Sequence, residues 1–231
     1  MNIDILKKED IRNVFAKRDE NANKGDFGYV GIMGGSIEYS GAVKLANLSL
    51  ASLTAGAGVV RVIVSETIAD GILPYLLEQT LVLIPDKDGH MIFDKEKIDK
   101  ALSKLKVLAI GMGWGEGKDN EKILRYILEN YEIPLVIDAD GLNTLSKMNK
   151  EILNKTKCKV ILTPHLKEFE RISGYNFEDI RKKPQELAIE FAKKYNVILL
   201  LKGHRTIVTN GKEGYIVEKG CPGMATAGSG D

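Results

Sequence analysis

Short apolar runs rich in Val and Ile alternate with longer segments of helical period along this chain, and that alternation constrains its fold more than any other feature. The runs fall at residues 29–33, 59–64, 81–84, 107–110, 135–138, 160–163 and 197–201. They are continuously apolar, as strands buried on both faces are. Helix-like stretches occupy residues 41–55, 67–78, 95–103, 120–130, 166–172 and 184–195. Strands of this kind separated by amphipathic helices predict a mostly parallel central sheet covered on both sides, a three-layer α/β/α sandwich. The end of the chain reads differently. Residues 206–209 and 215–218 flank Asn210-Gly211, a hairpin signal that places antiparallel strands at an edge of the sheet.

A chain of 231 residues can bury one substantial core, and without a linker, repeat or low-complexity segment a single domain over residues 1–231 is expected. Its 33 basic and 32 acidic residues leave a net charge of +1. That balance argues against a general basic surface for nucleic acid or an anionic membrane, while leaving room for a local anion site. Cys158 and Cys221 are far apart and lack metal-ligand spacing, so a reducing compartment is the simpler reading. The charged N-terminus does not read as a signal peptide, and no apolar run approaches the ~20 residues of a membrane span. A cytoplasmic protein is expected.

In open parallel sheets, ligands bind beyond the carboxyl ends of the strands. Glycine and polar residues follow the apolar runs at those places: Gly34-Gly35-Ser36, Gly111-Met112-Gly113-Trp114-Gly115, Asp138-Ala139-Asp140-Gly141-Leu142-Asn143, Pro164-His165 and Lys202-Gly203-His204. The first suits a phosphate at a helix start, or simply a tight strand-to-helix turn. The second allows backbone to approach a ligand, with Trp114 either stacking on a planar ring or packing in the core. Asp138 and Asp140, two apart, point the same way if the extended conformation persists, and could then position a hydrated magnesium. Alternatively, Asp140 caps a following helix. His165 at a helix start could bind substrate or lie exposed, and no second histidine gives it zinc-ligand spacing. His90 sits in a polar, turn-like stretch and receives no role. Lys202 through Thr206 combine two cations, a glycine and a hydroxyl, suited to nucleotide phosphates or to a solvated basic turn.

The last residues, Ala225-Thr226-Ala227-Gly228-Ser229-Gly230-Asp231, combine a glycine-lined turn that can present N–H groups to an anion with a carboxylate beside it. Phosphoryl transfer to an alcohol needs those two parts, although the same string also suits a flexible tail. Together with Lys24-Gly25-Asp26-Phe27-Gly28, Ser40-Gly41-Ala42, Leu162-Thr163-Pro164-His165 and Pro222-Gly223-Met224-Ala225-Thr226, the rim segments resemble the ADP-dependent NAD(P)H-hydrate dehydratases of the ribokinase-like superfamily. The resemblance runs from about Lys24 to Asp231.

That resemblance implies repair of NADH or NADPH hydrated across C5–C6: water is eliminated at the expense of ADP, giving AMP, phosphate and restored cofactor. Carried over by motif position, Ala42, Gly113, His165 and Asp231 would contact the hydrated dinucleotide, with Asp231 as catalytic base. Lys202, Gly203, His204, Arg205, Thr206 and Gly230 would contact the adenine nucleotide. Magnesium would bridge phosphates, with protein ligands unassigned, and the chain would assemble as a homo-oligomer, a tetramer being the candidate form. A kinase of small alcohols such as vitamin precursors, and a non-catalytic nucleotide-binding protein, are the alternatives. Two departures stand out. His204 and Arg205 occupy positions where many relatives carry small residues. Relatives also continue past the Gly-Ser-Gly-Asp string into helices, so this chain is expected to be a fragment lacking the C-terminal helices of the family.

Overall fold

The computed structural model describes residues 3–12, 19–48, 56–221 and 223. The strands are β1 (Asp4–Ile5), β2 (Tyr29–Met33), β3 (Val59–Ser65), β4 (Thr80–Ile84), β5 (Asp86–Lys87), β6 (His90–Met91), β7 (Leu105–Ile110), β8 (Leu135–Ile137), β9 (Val160–Leu162), β10 (Ile198–Leu201), β11 (Thr206–Thr209) and β12 (Gly214–Val217). All but β5 and β6 form one ten-stranded sheet in the order β1-β12-β11-β10-β9-β8-β7-β2-β3-β4. From β4 across to β10 every pairing is parallel. The predicted hairpin is present as β11 and β12, antiparallel to each other, with β11 antiparallel to β10. A short β1 pairs parallel to β12 at the edge, a strand too brief to register as an apolar run.

The helices are α1 (Lys8–Arg12), α2 (Ser40–Leu48), α3 (Ala69–Ile72), α4 (Lys95–Leu102), α5 (Asn120–Asn130), α6 (Ala139–Lys147), α7 (Ile152–Lys155), α8 (Leu166–Ser173), α9 (Phe177–Lys182) and α10 (Pro184–Tyr195). Their ends follow local chemistry. Asp94 caps α4 by accepting the Lys97 N–H at 3.0 Å, Pro184 opens α10, and Gly174 in the left-handed region closes α8. The continuous helix expected over 67–78 is broken into α3 between two single 3₁₀ turns, Glu66–Ile68 and Leu73–Tyr75. Gly71 weakens that segment and Pro74 removes a backbone donor. The helix expected over 41–55 is seen as α2, and residues 49–55 lie outside the described residues.

Both faces of the sheet are covered. Along β3, Val60, Val62 and Val64 join Ile32, Val43, Ile68, Ile72 and Met112 in one buried cluster. Ile63, pointing the other way, joins Met33 and the larger cluster that includes Trp114, Phe169 and Phe191. This is the three-layer α/β/α arrangement that the apolar runs implied. Among the described residues no helix is long and apolar enough to cross a membrane.

Phe169 anchors α8 to the core: it is fully buried and packs edge-on against Phe191 at 5.4 Å and Tyr175 at 6.0 Å between ring centroids. Phe169→Ala should lower stability by about 3–5 kcal/mol through lost burial and an unfilled cavity. Urea unfolding of the two proteins measures this, and a loss under about 1 kcal/mol would contradict the packing described.

Candidate active site

The parallel strands bring the carboxyl ends of β2, β3, β7, β8, β9 and β10 to one rim. Strand order reverses between β2 and β7, whose successors β3 and β8 lie on opposite sides, so the ligand-binding crevice of such a sheet falls there. At this point the two glycine-rich loops interlock. The Gly35 N–H donates to the Met112 carbonyl at 2.9 Å, and the Gly111 N–H donates to the Met33 carbonyl at 3.0 Å. A Cβ on Gly34 would overlap the Met112 carbonyl oxygen, so no other residue fits without moving the loop. Gly113 adopts a φ of 59°, and a Cβ there would overlap the Tyr39 carbonyl and lie 3.0 Å from the Ala42 Cβ. Ala42 and Gly113, far apart in sequence, therefore stand side by side. Ser36 is buried beneath them, its Oγ accepting the Tyr39 N–H at 3.3 Å.

Trp114 offers no stacking face. It is fully buried and its Nε1 donates to the Met91 sulfur at 3.3 Å, so of its two readings the packing one stands.

The other half of the rim is built on Asp138. Its carboxylate accepts the Ala139 N–H at 2.8 Å, capping α6, and receives Lys202 Nζ at 2.9 and 3.2 Å. Lys202 reaches it from the end of β10, where its own N–H donates to the Pro164 carbonyl at 2.8 Å and an isolated parallel bridge joins it to His165. His165 caps α8: Nδ1 accepts the Lys167 and Glu168 N–H groups at 3.1 and 3.2 Å, while Glu168 Oε2 accepts the His165 N–H at 2.8 Å. With Nδ1 accepting, any ring proton resides on Nε2, 3.5 Å from Glu168 Oε1. The Glu168 carboxyl is pushed above its usual value, chiefly by burial. The His165 N–H and the Lys202 ammonium oppose that shift, and the Asp138 carboxylate reinforces it.

Two expectations need correction. Asp138 and Asp140 do not face one another's ligand, because the chain leaves the extended conformation at Ala139, which has a φ of 46° and begins α6. Asp138 turns to Lys202, whereas Asp140 accepts the Gly115 N–H at 2.8 Å and the Asn143 amide at 3.1 Å. The helix cap is therefore Asp138, not Asp140. Among the described residues, no group of three or more His, Cys, Asp or Glu side chains forms that could hold a metal ion.

The basic turn after β10 is divided. Lys202 and Thr206 are partly buried, while Gly203, His204 and Arg205 are exposed. The Thr206 hydroxyl donates to the Gly203 carbonyl at 3.1 Å, and Arg205 forms an ion pair with Glu218 across the hairpin. Gly230 and Asp231 lie outside the described residues, as does most of the segment from Pro222 to Thr226. The residue that motif reading passed over is Glu168. Its spacing from His165 is that of a capping box, a signal normally looked for behind Ser or Thr.

A raised carboxyl value in the folded state means the native protein holds its proton longer than the unfolded chain. Glu168 therefore contributes stability at low pH that is lost as pH climbs from the unfolded value, about 4.3, through the raised folded one. Glu168→Gln should remove that dependence while keeping an acceptor for the His165 N–H. Urea unfolding of both proteins between acid and neutral pH reads it. The stability of wild type minus variant should fall with rising pH, and a flat or rising difference would contradict the assignment.

A family described as NAD(P)H-hydrate dehydratase matches residues 30–231. The chain is 34% identical over 226 residues to the ADP-dependent (S)-NAD(P)H-hydrate dehydratase of Streptococcus thermophilus, covering 96% of this chain and 76% of that protein. Against the bifunctional NAD(P)H-hydrate repair enzyme of Moorella thermoacetica it is 33% identical over 225 residues, covering 95% of this chain but only 42% of the relative. The chain thus spans less than half of such bifunctional proteins. The crystal structure of the ADP/ATP-dependent NAD(P)H-hydrate dehydratase from Bacillus subtilis, co-crystallised with ATP/Mg2+, superposes with a TM-score of 0.80 at 26% identity, covering 99% of this chain and 77% of that one. A ribokinase-like superfamily protein from Enterococcus faecalis, at 24% identity and a TM-score of 0.82, shares the fold. With its glycine corner at the strand reversal and its matched span of residues, this chain belongs to the NAD(P)H-hydrate dehydratase family and has the ribokinase-like fold.

Proposed function

We propose that the chain catalyses ADP-dependent dehydration of hydrated NADH and NADPH, as a single domain working in the cytoplasm within a homo-oligomer. One observation carries the reading: a corner of closely packed glycines beside the half-buried Ala42, and a lysine held by a buried aspartate, lie on the same rim of one parallel sheet. The corner at Ala42 and Gly113 takes the hydrated dinucleotide, approached at the rim by His165. The turn from Lys202 to Thr206, with Gly230, takes the nucleotide.

In this scheme the Asp231 carboxylate removes the proton of the C6 hydroxyl, whose oxygen attacks the terminal phosphorus of ADP. The bond to the AMP oxygen breaks, and the new phosphate ester turns a poor leaving group into a good one. Loss of the C5 proton and departure of inorganic phosphate restore the C5–C6 double bond, so the water of hydration ends in phosphate. Both Asp138 oxygens lie on one side of Lys202 Nζ, at 2.9 and 3.2 Å, so the three-donor ammonium retains donor capacity for a phosphate oxygen. Magnesium would arrive with the nucleotide, as in the Bacillus subtilis neighbour co-crystallised with ATP/Mg2+, and would neutralise phosphate charge there.

Product analysis tests the reaction. Hydrated NADH, ADP and magnesium should yield NADH, AMP and phosphate in equal amounts, whereas a stable phosphorylated alcohol without NADH would assign the chain to the kinases instead. Asp231→Asn should abolish turnover and leave ADP affinity within a few-fold, and undiminished turnover would remove Asp231 as the base. Calorimetric titration of Lys202→Ala should give an ADP affinity about tenfold weaker through the lost charge-assisted contact. Unchanged affinity would remove Lys202 from the nucleotide site.

A further inference from the structure

His90 is the one rim histidine that neither the sequence motifs nor the proposed reaction uses, yet its imidazole sits where three chain segments meet. It lies at the start of β6, on the small β5–β6 hairpin, whose Gly89 carbonyl accepts the Ser65 hydroxyl at the end of β3 at 3.3 Å. Nε2 is 3.3 Å from Glu38 Oε1 in the loop after β2. A Cβ on Gly115 would lie 3.1 Å from His90 Nδ1 and 2.9 Å from Ser36 Oγ, so the loop after β7 packs on the same ring. Nδ1 is buried and has no hydrogen-bond partner among the described residues. Among the described residues, the ring is thus held by packing on one side and by a single polar contact, to Glu38, on the other.

Glu38 belongs to the turn that shapes the glycine corner. In that turn Ser36 Oγ accepts the Tyr39 N–H, the Tyr39 carbonyl faces Gly113, and the exposed Tyr39 ring precedes Ala42 by three residues. The Glu38 carboxyl is held below its usual value by its own backbone N–H first, and then by the Ser36 hydroxyl and His90. Side-chain exposure of 23% for His90 and 49% for Glu38 places the contact at the solvent edge of the corner.

We infer that His90 is a positioning residue for the dinucleotide: through Glu38 it clamps the Ser36–Tyr39 turn against the loop after β7, fixing the corner at Ala42 and Gly113. It touches no reacting atom. Its effect therefore falls on binding of the dinucleotide and not on phosphoryl transfer or on the nucleotide half of the rim. This rests on the proposed contact of Ala42 and Gly113 with the dinucleotide.

The test is a set of variants assayed on hydrated NADH with ADP and magnesium. His90→Asn keeps a polar atom near Nδ1 but loses the one that meets Glu38, while His90→Gln places an amide near the Nε2 position. The expected result is a KM for hydrated NADH roughly tenfold higher in His90→Asn, with kcat and ADP affinity within twofold, and recovery of most of that loss in His90→Gln. Glu38→Gln, an isosteric change at a half-exposed position, should raise KM in the same direction by about threefold. An unchanged KM in His90→Asn and Glu38→Gln overturns the assignment. So does a joint loss of kcat, KM and ADP affinity shared by His90→Asn and His90→Gln, which marks a purely structural role. Gly113→Ala separates this from the reading beneath it. If Gly113→Ala raises KM and the His90 variants do not, only the clamp falls. If Gly113→Ala also leaves KM unchanged, the dinucleotide lies elsewhere and both assignments fall.

Discussion

The contact between two backbones at the strand reversal is the constraint on which the rest of this architecture depends. Where the loops after β2 and β7 cross, Gly35 bonds to Met112 and Gly111 bonds to Met33, with no side chain between them. That closeness sets the register at which β2 and β7 end, and it brings Tyr39 and Ala42, the start of α2, against Gly113. A side chain at Gly34 would wedge the loops apart and widen the crevice that a parallel sheet offers its ligand. Small residues at this corner are therefore a steric requirement of the fold and, equally, the condition for a ligand to lie close to the backbone.

The second half of the rim uses charge where the first uses absence of bulk. Asp138 is almost buried, and one carboxylate both caps α6 and holds Lys202. Taking these two charges out of water costs energy that their attraction offsets only because the geometry is good and the remaining lone pairs are used. What the pair contributes is placement. It ties the end of β8 to the end of β10 across β9, and sets a lysine with donor capacity to spare at the rim. Glu168 sits behind it as a buried carboxyl bonded to the His165 backbone, so the start of α8 is held by the same cluster.

Much of this was legible in the residues themselves. Continuous apolar runs predicted the parallel strands from β2 to β10 within one or two residues at each end, and Asn210-Gly211 marked the hairpin. Those signals are local, and their period is set by burial on both faces. What failed was local too, but read under the wrong assumption. Asp138 and Asp140 share a face only while the chain stays extended, and Ala139 ends that. The segment over 67–78 has helical period, yet Gly71 and Pro74 cut it into turns. The pairing of Lys202 with Asp138, and the burial of Glu168 and of His90 Nδ1, depend on which strands become neighbours. No spacing in the sequence carries that information. Ala42 and Gly113 were reached through resemblance to a family, and the fold supplies the physical reason they belong together.

The central claim is that the rim is divided, with the dinucleotide at the glycine corner and the nucleotide at the end of β10. The most direct measurement is a crystal structure of the protein with hydrated NADH and a non-transferable ADP analogue bound together. The account predicts the dihydropyridine end of the dinucleotide packed against Ala42 and Gly113, and a phosphate oxygen within hydrogen-bond distance of Lys202 Nζ. Finding the dinucleotide away from that corner, or the analogue's phosphates beyond reach of Lys202, would contradict it.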